Sequence, residues 1–149
     1  MNDTEFDEFV RAVEPRLRRA FIGCRGVDGA PEAVAEALAY AWEHWTRVRT
    51  LDNPAGYLFR VGQSRTRRRK EGALPVPGPT MAPNVEPALI PALLELTAHQ
   101  RTAVWLVHAC DWSYAEVAEA MGLGTSTVGT HVTRGLEQLR RILEVETNA

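Results

Sequence analysis

Apolar positions recur along the chain at intervals of three and four, the spacing that stacks side chains on one face of a helix. Phe6, Phe9, Val10, Val13, Leu17 and Phe21 predict a first helix from Thr4 to Ile22. Pro15 falls inside it and should kink or split it, because its ring clashes with the preceding turn. Gly23, Gly26 and Gly29 then mark a loop. Pro31 suits the first turn of a second helix, and Glu32 complements the dipole there. Val34, Leu38, Ala41, Trp42 and Trp45 are its inward positions. After a loop from Thr46 to Asp52, Asn53 and Pro54 supply the cap and first residue of a third helix, with Tyr57, Leu58 and Val61 on its apolar side.

The second half repeats the helical spacing in shorter pieces. Leu93, Leu94 and Leu96 close a short helix, and Thr97 caps the next, which carries Val104, Trp105, Leu106 and Val107. Ser113 followed by Glu116 is a capping box. Val117, Ala118 and Met121 form a small apolar face, Gly122 ends the helix, Leu123 plugs the corner and Gly124 turns the chain again. A last helix begins near Thr125 to Thr127 with the stripe Val128, Val132, Leu136, Leu139 and Leu143. Its other face carries Ser126, Gly129, Thr130, His131, Thr133 and Arg134. A short helix, a tight turn and a longer helix with a small polar face make a helix-turn-helix pattern, whose second helix fits a major groove. A helical hairpin inside a bundle is the plainer reading of the same residues.

Between the halves the composition changes abruptly. The stretch EGALPVPGPTMAPNVEPALIP, residues 71–91, has six prolines and no basic residue. It predicts an extended tether, which at roughly 3.1 Å per residue reaches about 60 Å. The predicted fold class is therefore all-α: two small helical domains, residues 1–70 and 92–149, joined by a proline-rich linker, with the helix-turn-helix in the second.

Charge refines this picture through its distribution, since the chain of 149 residues carries a formal net charge of only −2. Residues 47–70 hold eight basic side chains (Arg47, Arg49, Arg60, Arg65, Arg67, Arg68, Arg69, Lys70) against one acid, Asp52. Residues 1–46 hold five basic against nine acidic ones, and residues 98–149 four against six. Concentrated arginines attract phosphate by charge and counterion release. Cations also favour a helix C-terminus, so a solvated helix end is the alternative. The acidic C-terminal module needs the basic helix or a partner to stay on DNA.

Other chemistry is sparse. Cys24 and Cys110 lie far apart and outside any CxxC pattern, so buried free thiols in a reducing compartment are expected. The four histidines, His44, His99, His108 and His131, make no metal motif. No phosphate loop, nucleophile elbow or paired-acid motif appears, so the reading is of a protein with no enzymatic activity, no metal and no cofactor. With no long apolar run and no signal peptide, a soluble, cytoplasmic protein with no membrane contact is expected. His131 could titrate near neutrality and modulate DNA affinity, or face solvent idly.

A helical module ending in an arginine-rich helix, a proline-rich tether and a C-terminal helix-turn-helix resembles the extracytoplasmic-function sigma factors of bacterial RNA polymerase. LTAHQRTAVWLVHACDWSYAEVAEAMGLGTSTVGTHVTRGLEQLR is similar to the family's fourth conserved region, PEAVAEALAYAW to its polymerase-binding helix and NPAGYLFRVGQSRTRRRK to its promoter −10 helix. The resemblance implies that Glu32, Glu36 and Trp42 dock the β′ clamp helices of core RNA polymerase, with the β flap as a second contact. It puts Arg47, Arg49, Asn53, Tyr57, Arg60, Ser64, Arg65, Arg67 and Arg68 where the −10 strand is opened and a base captured. It puts Ser126, Thr127, Thr130, His131 and Arg134 where the −35 element is read. The implied partners are promoter DNA, core RNA polymerase and an anti-sigma factor. The chain departs from the family pattern at Glu32, Ala35, Ser64, Gly129 and His131. The implied activity is promoter-directed transcription initiation. The alternatives are a sigma-like regulator without initiation activity, and an interaction module whose arginine helix binds RNA or an acidic partner.

Overall fold

The structure, a computed structural model, describes residues 3–69 and 89–148, and the proline-rich stretch up to residue 88 lies outside them. The described residues are all-α, with no strand among them. Helix α1 runs Asp3–Glu43, α2 is the single turn Trp45–Val48, and α3 is Pro54–Arg69. In the second half α4 is Leu89–Leu94 and α5 is Ala98–Val104, continued by a π-helical turn, Trp105–Ala109. The helix-turn-helix consists of α6, Tyr114–Met121, and α7, Thr125–Asn148.

The expected loop from Gly23 to Gly29 is helical on both sides of one residue. Only Gly26 leaves helical geometry, at φ 75° and ψ 172°, so α1 is two arms joined at one hinge-like break. A residue with a side chain resists that left-handed φ, which is why the break falls at a glycine. Pro15 does not break the helix. It sits on the exposed side, while Val13 and Leu17 on the opposite side are buried and hold the turn together.

The two arms of α1 embrace α3. Leu17, Phe21, Ala33 and Ala37 meet Leu58 and Phe59 in the core, and Phe21 stacks on Phe59 at 4.9 Å between ring centroids. Trp42, expected to point inward, is 47% exposed, with its ring edge-on to Phe6 at 4.9 Å. Position 42 lies next to the end of the arm, and Trp45 in the following turn takes the buried place instead.

The local signals of the second half are realised closely. Thr97 caps α5 and Ser113 caps α6, each in a reciprocal box with Gln100 and Glu116 respectively. Gly122 closes α6 in the left-handed conformation, and the Leu123 N–H reaches back to the Ala118 carbonyl at 2.9 Å. On α7, Val128, Val132 and Leu139 are buried, with Leu136 and Leu143 half-buried against the core. The π turn was not legible in the sequence. It wraps Trp105 and Leu106 inward, and left-handed Asp111 then lets the Trp112 N–H reach the Leu106 carbonyl at 3.0 Å.

One core runs through both halves. Trp105 from the π turn lies on Gly23 of α1 so closely that a methyl group there would overlap the indole, whose N–H donates to the Arg19 carbonyl at 2.9 Å. Phe59 of α3 meets the Trp112 ring edge-on at 5.8 Å, and α3 packs along α6. Backbone strain at Gly26 can be isolated experimentally, because a Cβ there meets open space. Gly26→Ala should lower the free energy of unfolding by about 1–3 kcal/mol, and Gly26→Asn by a similar amount because ψ 172° lies outside the left-handed helical region that asparagine tolerates, measured by urea denaturation.

Candidate nucleic-acid interface

The best-built polar surface of the second half is the outer face of α7. Ser126, Thr127, Thr133 and Arg134 are exposed there, on the side opposite the buried Val128 and Val132. Capping at Ser113 and the glycine turn at Gly122 set the angle at which α7 leaves α6, so this face is presented by rigid local geometry. The Thr130 hydroxyl is also exposed but donates to the Ser126 carbonyl at 3.1 Å. Two positions of the polar face turn inward. Gly129 lies under the Tyr114 ring, 3.4 Å from where a Cβ would stand, and His131 packs half-buried against His99 with ring centroids 5.2 Å apart.

His131 is held below the ordinary histidine range by burial, then by His99 and by Arg134. It is therefore neutral at pH 7, and Arg134 is the cation among the five predicted recognition residues. The small hydroxyls remain able to bond several base edges, and Arg134 suits a phosphate.

The other predicted surface centres on α2 and α3. Tyr40 and Tyr57 share a hydroxyl–hydroxyl hydrogen bond of 2.9 Å. Arg47 lies over the Tyr57 ring at 5.4 Å, Arg65 over the Tyr40 ring at 5.1 Å, and His44 stacks on Tyr40 at 4.1 Å. Aromatic faces flanked by guanidinium groups are what an unstacked base requires. The Tyr40 hydroxyl is pushed above its ordinary range, first by the bond to Tyr57 and then by burial, so it stays protonated. Tyr40 and His44 were not among the sequence-predicted site residues; their i,i+4 spacing to one another was the available signal.

Several predicted contacts are tied into the fold. Arg49 pairs with Glu5 at 2.9 Å. Arg65 pairs with Glu36 at 3.6 Å and approaches Glu43 at 4.0 Å, so part of the basic run is neutralised by α1. Glu32 is half-buried on the same arm. Arg67 and Arg68 lie on α3, their side chains outside the described residues. Asn53 caps α3, its Oδ1 accepting from the Gly56 N–H at 3.1 Å, while its Nδ2 donates to the Glu116 carbonyl at 3.4 Å and to Glu119 at 3.3 Å. Arg60 lies against Gly122, its guanidinium 3.2 Å from where a Cβ would stand. Beside it a cleft of about 310 Å³ opens between α3 and the second half, lined by Phe59, Arg60, Ser64, His99 and Met121 among others.

These contacts make a seam that residue patterns alone did not show. Arg16 pairs with Glu116 at 2.9 Å and lies over the Trp112 ring at 5.4 Å. Burial alone would raise the Glu116 carboxyl, but the Ser113 backbone N–H and Arg16 outweigh it and hold it below the ordinary range. Cys24 and Cys110, from opposite halves, are free; burial raises the Cys24 thiol and pushes Cys110 up to about 12, so both are inert thiols at neutral pH. Among the described residues, no group of three or more metal-ligating side chains occurs, and no helix is long and apolar enough to cross a membrane.

Residues 88–139 match the family described as sigma-70, region 4, which covers the helix-turn-helix and the helices beneath it. No curated protein matches the sequence significantly. Among solved structures, the sigma factor RpoE from Bartonella quintana, in complex with the anti-sigma factor NepR, is 25% identical, with a TM-score of 0.78 over 95% of this chain and 98% of that one. CnrH, in complex with the cytosolic domain of CnrY, is 22% identical, with a TM-score of 0.72 over 97% of this chain and 90% of that one; it shares the fold.

The low histidine pKa fixes a sign. His131 binds its proton more weakly in the folded chain than unfolded, so acidification favours unfolding. Stability should fall as pH drops from about 6.5 toward the depressed folded value, and His131→Gln should flatten that part of a denaturation-versus-pH profile.

Proposed function

Because the chain belongs to the sigma-70 family, in its extracytoplasmic-function group, we propose that it binds core RNA polymerase and directs it to particular promoters through −10 and −35 contacts. One observation carries the reading: the helix-turn-helix is complete, and Ser126, Thr127 and Arg134 stand exposed on α7 with their neighbours Val128 and Val132 fully used by the core. That division of labour is what a recognition helix needs. On the first half, the Tyr40–Tyr57 pair with Arg47 supplies a stacking surface for an opened base, with Arg60, Ser64, Arg67 and Arg68 further along α3. Glu32, Glu36 and exposed Trp42 on the second arm of α1 are the proposed polymerase contacts. The β′ clamp helices and β flap are the surfaces they and the second half would meet. An anti-sigma factor is a further proposed partner, supported by the complex in which RpoE was solved. The proposed setting is the cytoplasm, and no catalytic step, metal or cofactor belongs to the chain itself.

A second reading, a DNA-binding regulator that does not start transcription, is favoured by the sparse charge of the reading face. Gly129 offers no side chain and His131 turns toward His99, leaving Arg134 as the phosphate ligand. Run-off transcription with reconstituted core polymerase separates the two. The first predicts promoter-dependent product from templates recovered by mapping the bound sites; the second predicts occupancy without product. Within the first reading, Arg134→Ala should weaken duplex binding uniformly across sequences and reduce the salt slope by about one. Replacing Arg67, Arg68 and Arg69 by alanine should reduce it further, by roughly one unit per lost phosphate contact, in fluorescence anisotropy titrations.

A further inference from the structure

We propose that the cleft between α3 and the second half is a binding site for a small aromatic acid, a monoanion of one or two rings. The site rests on the cleft alone; its bearing on DNA rests on the promoter-binding reading.

The cleft has both the size and the chemistry of a ligand site. Its volume of about 310 Å³ stands at the lower end of the range for small-molecule pockets, which favour the junctions between packed units. Arg60, Gln63 and Ser64 reach it from α3 and His99 from α5, and no acidic side chain lines it. Arg60 is the permanent cation there. It has no carboxylate within ion-pair distance among the described residues, whereas Arg16, Arg18, Arg49 and Arg65 are each paired. Its guanidinium lies against Gly122 and stays exposed to solvent. Gln63 is held from behind: Arg25 donates to its Oε1 at 2.8 Å and to its backbone carbonyl at 2.9 Å. With that oxygen spent on Arg25, the Gln63 side chain has its amide N–H groups left to give. Ser64 adds an exposed hydroxyl.

Those groups define the ligand. One guanidinium flanked by neutral donors matches one carboxylate, which an arginine fork grips through two parallel hydrogen bonds. A phosphate dianion would leave a negative charge unmatched. The rest of the lining asks for a ring. Met121 is half-buried and brings a thioether, which packs well against aromatic edges, and the exposed His99 imidazole offers a flat face. Phe59, buried in the core, lines the cleft as well. A cavity of about 150 Å³ accommodates benzene, so one of about 310 Å³ takes a fused pair of rings with its carboxylate. An acid seated on Arg60 and Ser64 occupies two of the residues proposed for the −10 strand, so it competes with an opened strand for α3.

2-Naphthoate is the probe, and 2-naphthamide, of the same shape without the charge, is its control. Titrated into the full-length chain and followed by amide shifts in NMR spectra, 2-naphthoate should move Arg60, Gln63, Ser64 and Met121 saturably, with a dissociation constant of about 1 mM or tighter. 2-Naphthamide should bind at least about tenfold more weakly. Arg60→Gln, at an exposed position, should abolish that difference, while Arg47→Gln, a cation outside the cleft, should preserve it. Shifts that scatter over the surface overturn the site, as does equal binding of acid and amide, or a preference that survives Arg60→Gln. A fluorescent single-stranded oligonucleotide of mixed sequence then tests the bearing on DNA. At ten times its dissociation constant, 2-naphthoate should weaken strand binding about tenfold. Strand affinity unchanged by a bound acid removes the competition. An acid that binds as expected to a chain with no affinity for the strand supports the site and removes the promoter reading instead.

Discussion

A single indole sets the relation between the two halves. Trp105 is 5% exposed, although its ring reaches from a turn in the second half onto a helix of the first. The approach is possible because residue 23 has no Cβ. Glycine inside a helix costs about 0.5–1 kcal/mol relative to alanine. Full burial of a large aromatic ring and its satisfied N–H offsets that several times over. From this point the shared core continues through Phe21, Phe59 and Trp112, so the position of α6 on α3 is supported by core contacts as well as by the polar contacts of Asn53.

What the sequence shows and what it hides divide along the same line. Signals that act within four or five residues were legible: the boxes at Thr97 and Ser113, the left-handed Gly122, the stripe from Val128 to Leu143. Each is a local hydrogen bond or a local period, and each forms whatever it packs against. Signals whose meaning is tertiary were misread. Gly23, Gly26 and Gly29 look alike in sequence, yet only Gly26 needs a positive φ, and Gly23 serves as a slot for a side chain 82 positions away, from 105 − 23. Trp42 has the spacing of an inward residue, but it lies half-exposed with its ring edge-on to Phe6, while Trp45 is buried. The π turn has no residue signature, since its extra residue is absorbed by packing around Trp105 and Leu106.

The proposed site was legible in the same partial way. Counting cations found the basic pole but not how much of it is spent. Arg65 and Arg49 are held by acids from α1, and those acids stand too far off in sequence for any pattern to pair them. The exposure of Ser126, Thr130, Thr133 and Arg134 on α7 was legible from helical period, whereas the inward turn of His131 depended on His99 from another helix. Tyr40 entered the stacking surface only when α1 and α3 were brought together.

The pairing of Arg65 with Glu36 has a consequence for how the two surfaces of the first half relate. The resemblance assigns Glu36 to polymerase and Arg65 to DNA, but the two side chains are 3.6 Å apart and partly shielded, at 18% and 37% exposure. A carboxylate so placed cannot meet an external cation and keep Arg65 at full strength, because both interactions draw on the same oxygen atoms. Whatever approaches Glu36 therefore alters the charge that α3 presents beside Tyr40 and Tyr57, one helix away. The Tyr40 ring makes that alteration directional: Arg65 lies over it at 5.1 Å, so a guanidinium loosened from Glu36 still has an aromatic face to rest on. The sides proposed to face polymerase and an opened strand are in that sense one electrostatic unit rather than two independent patches.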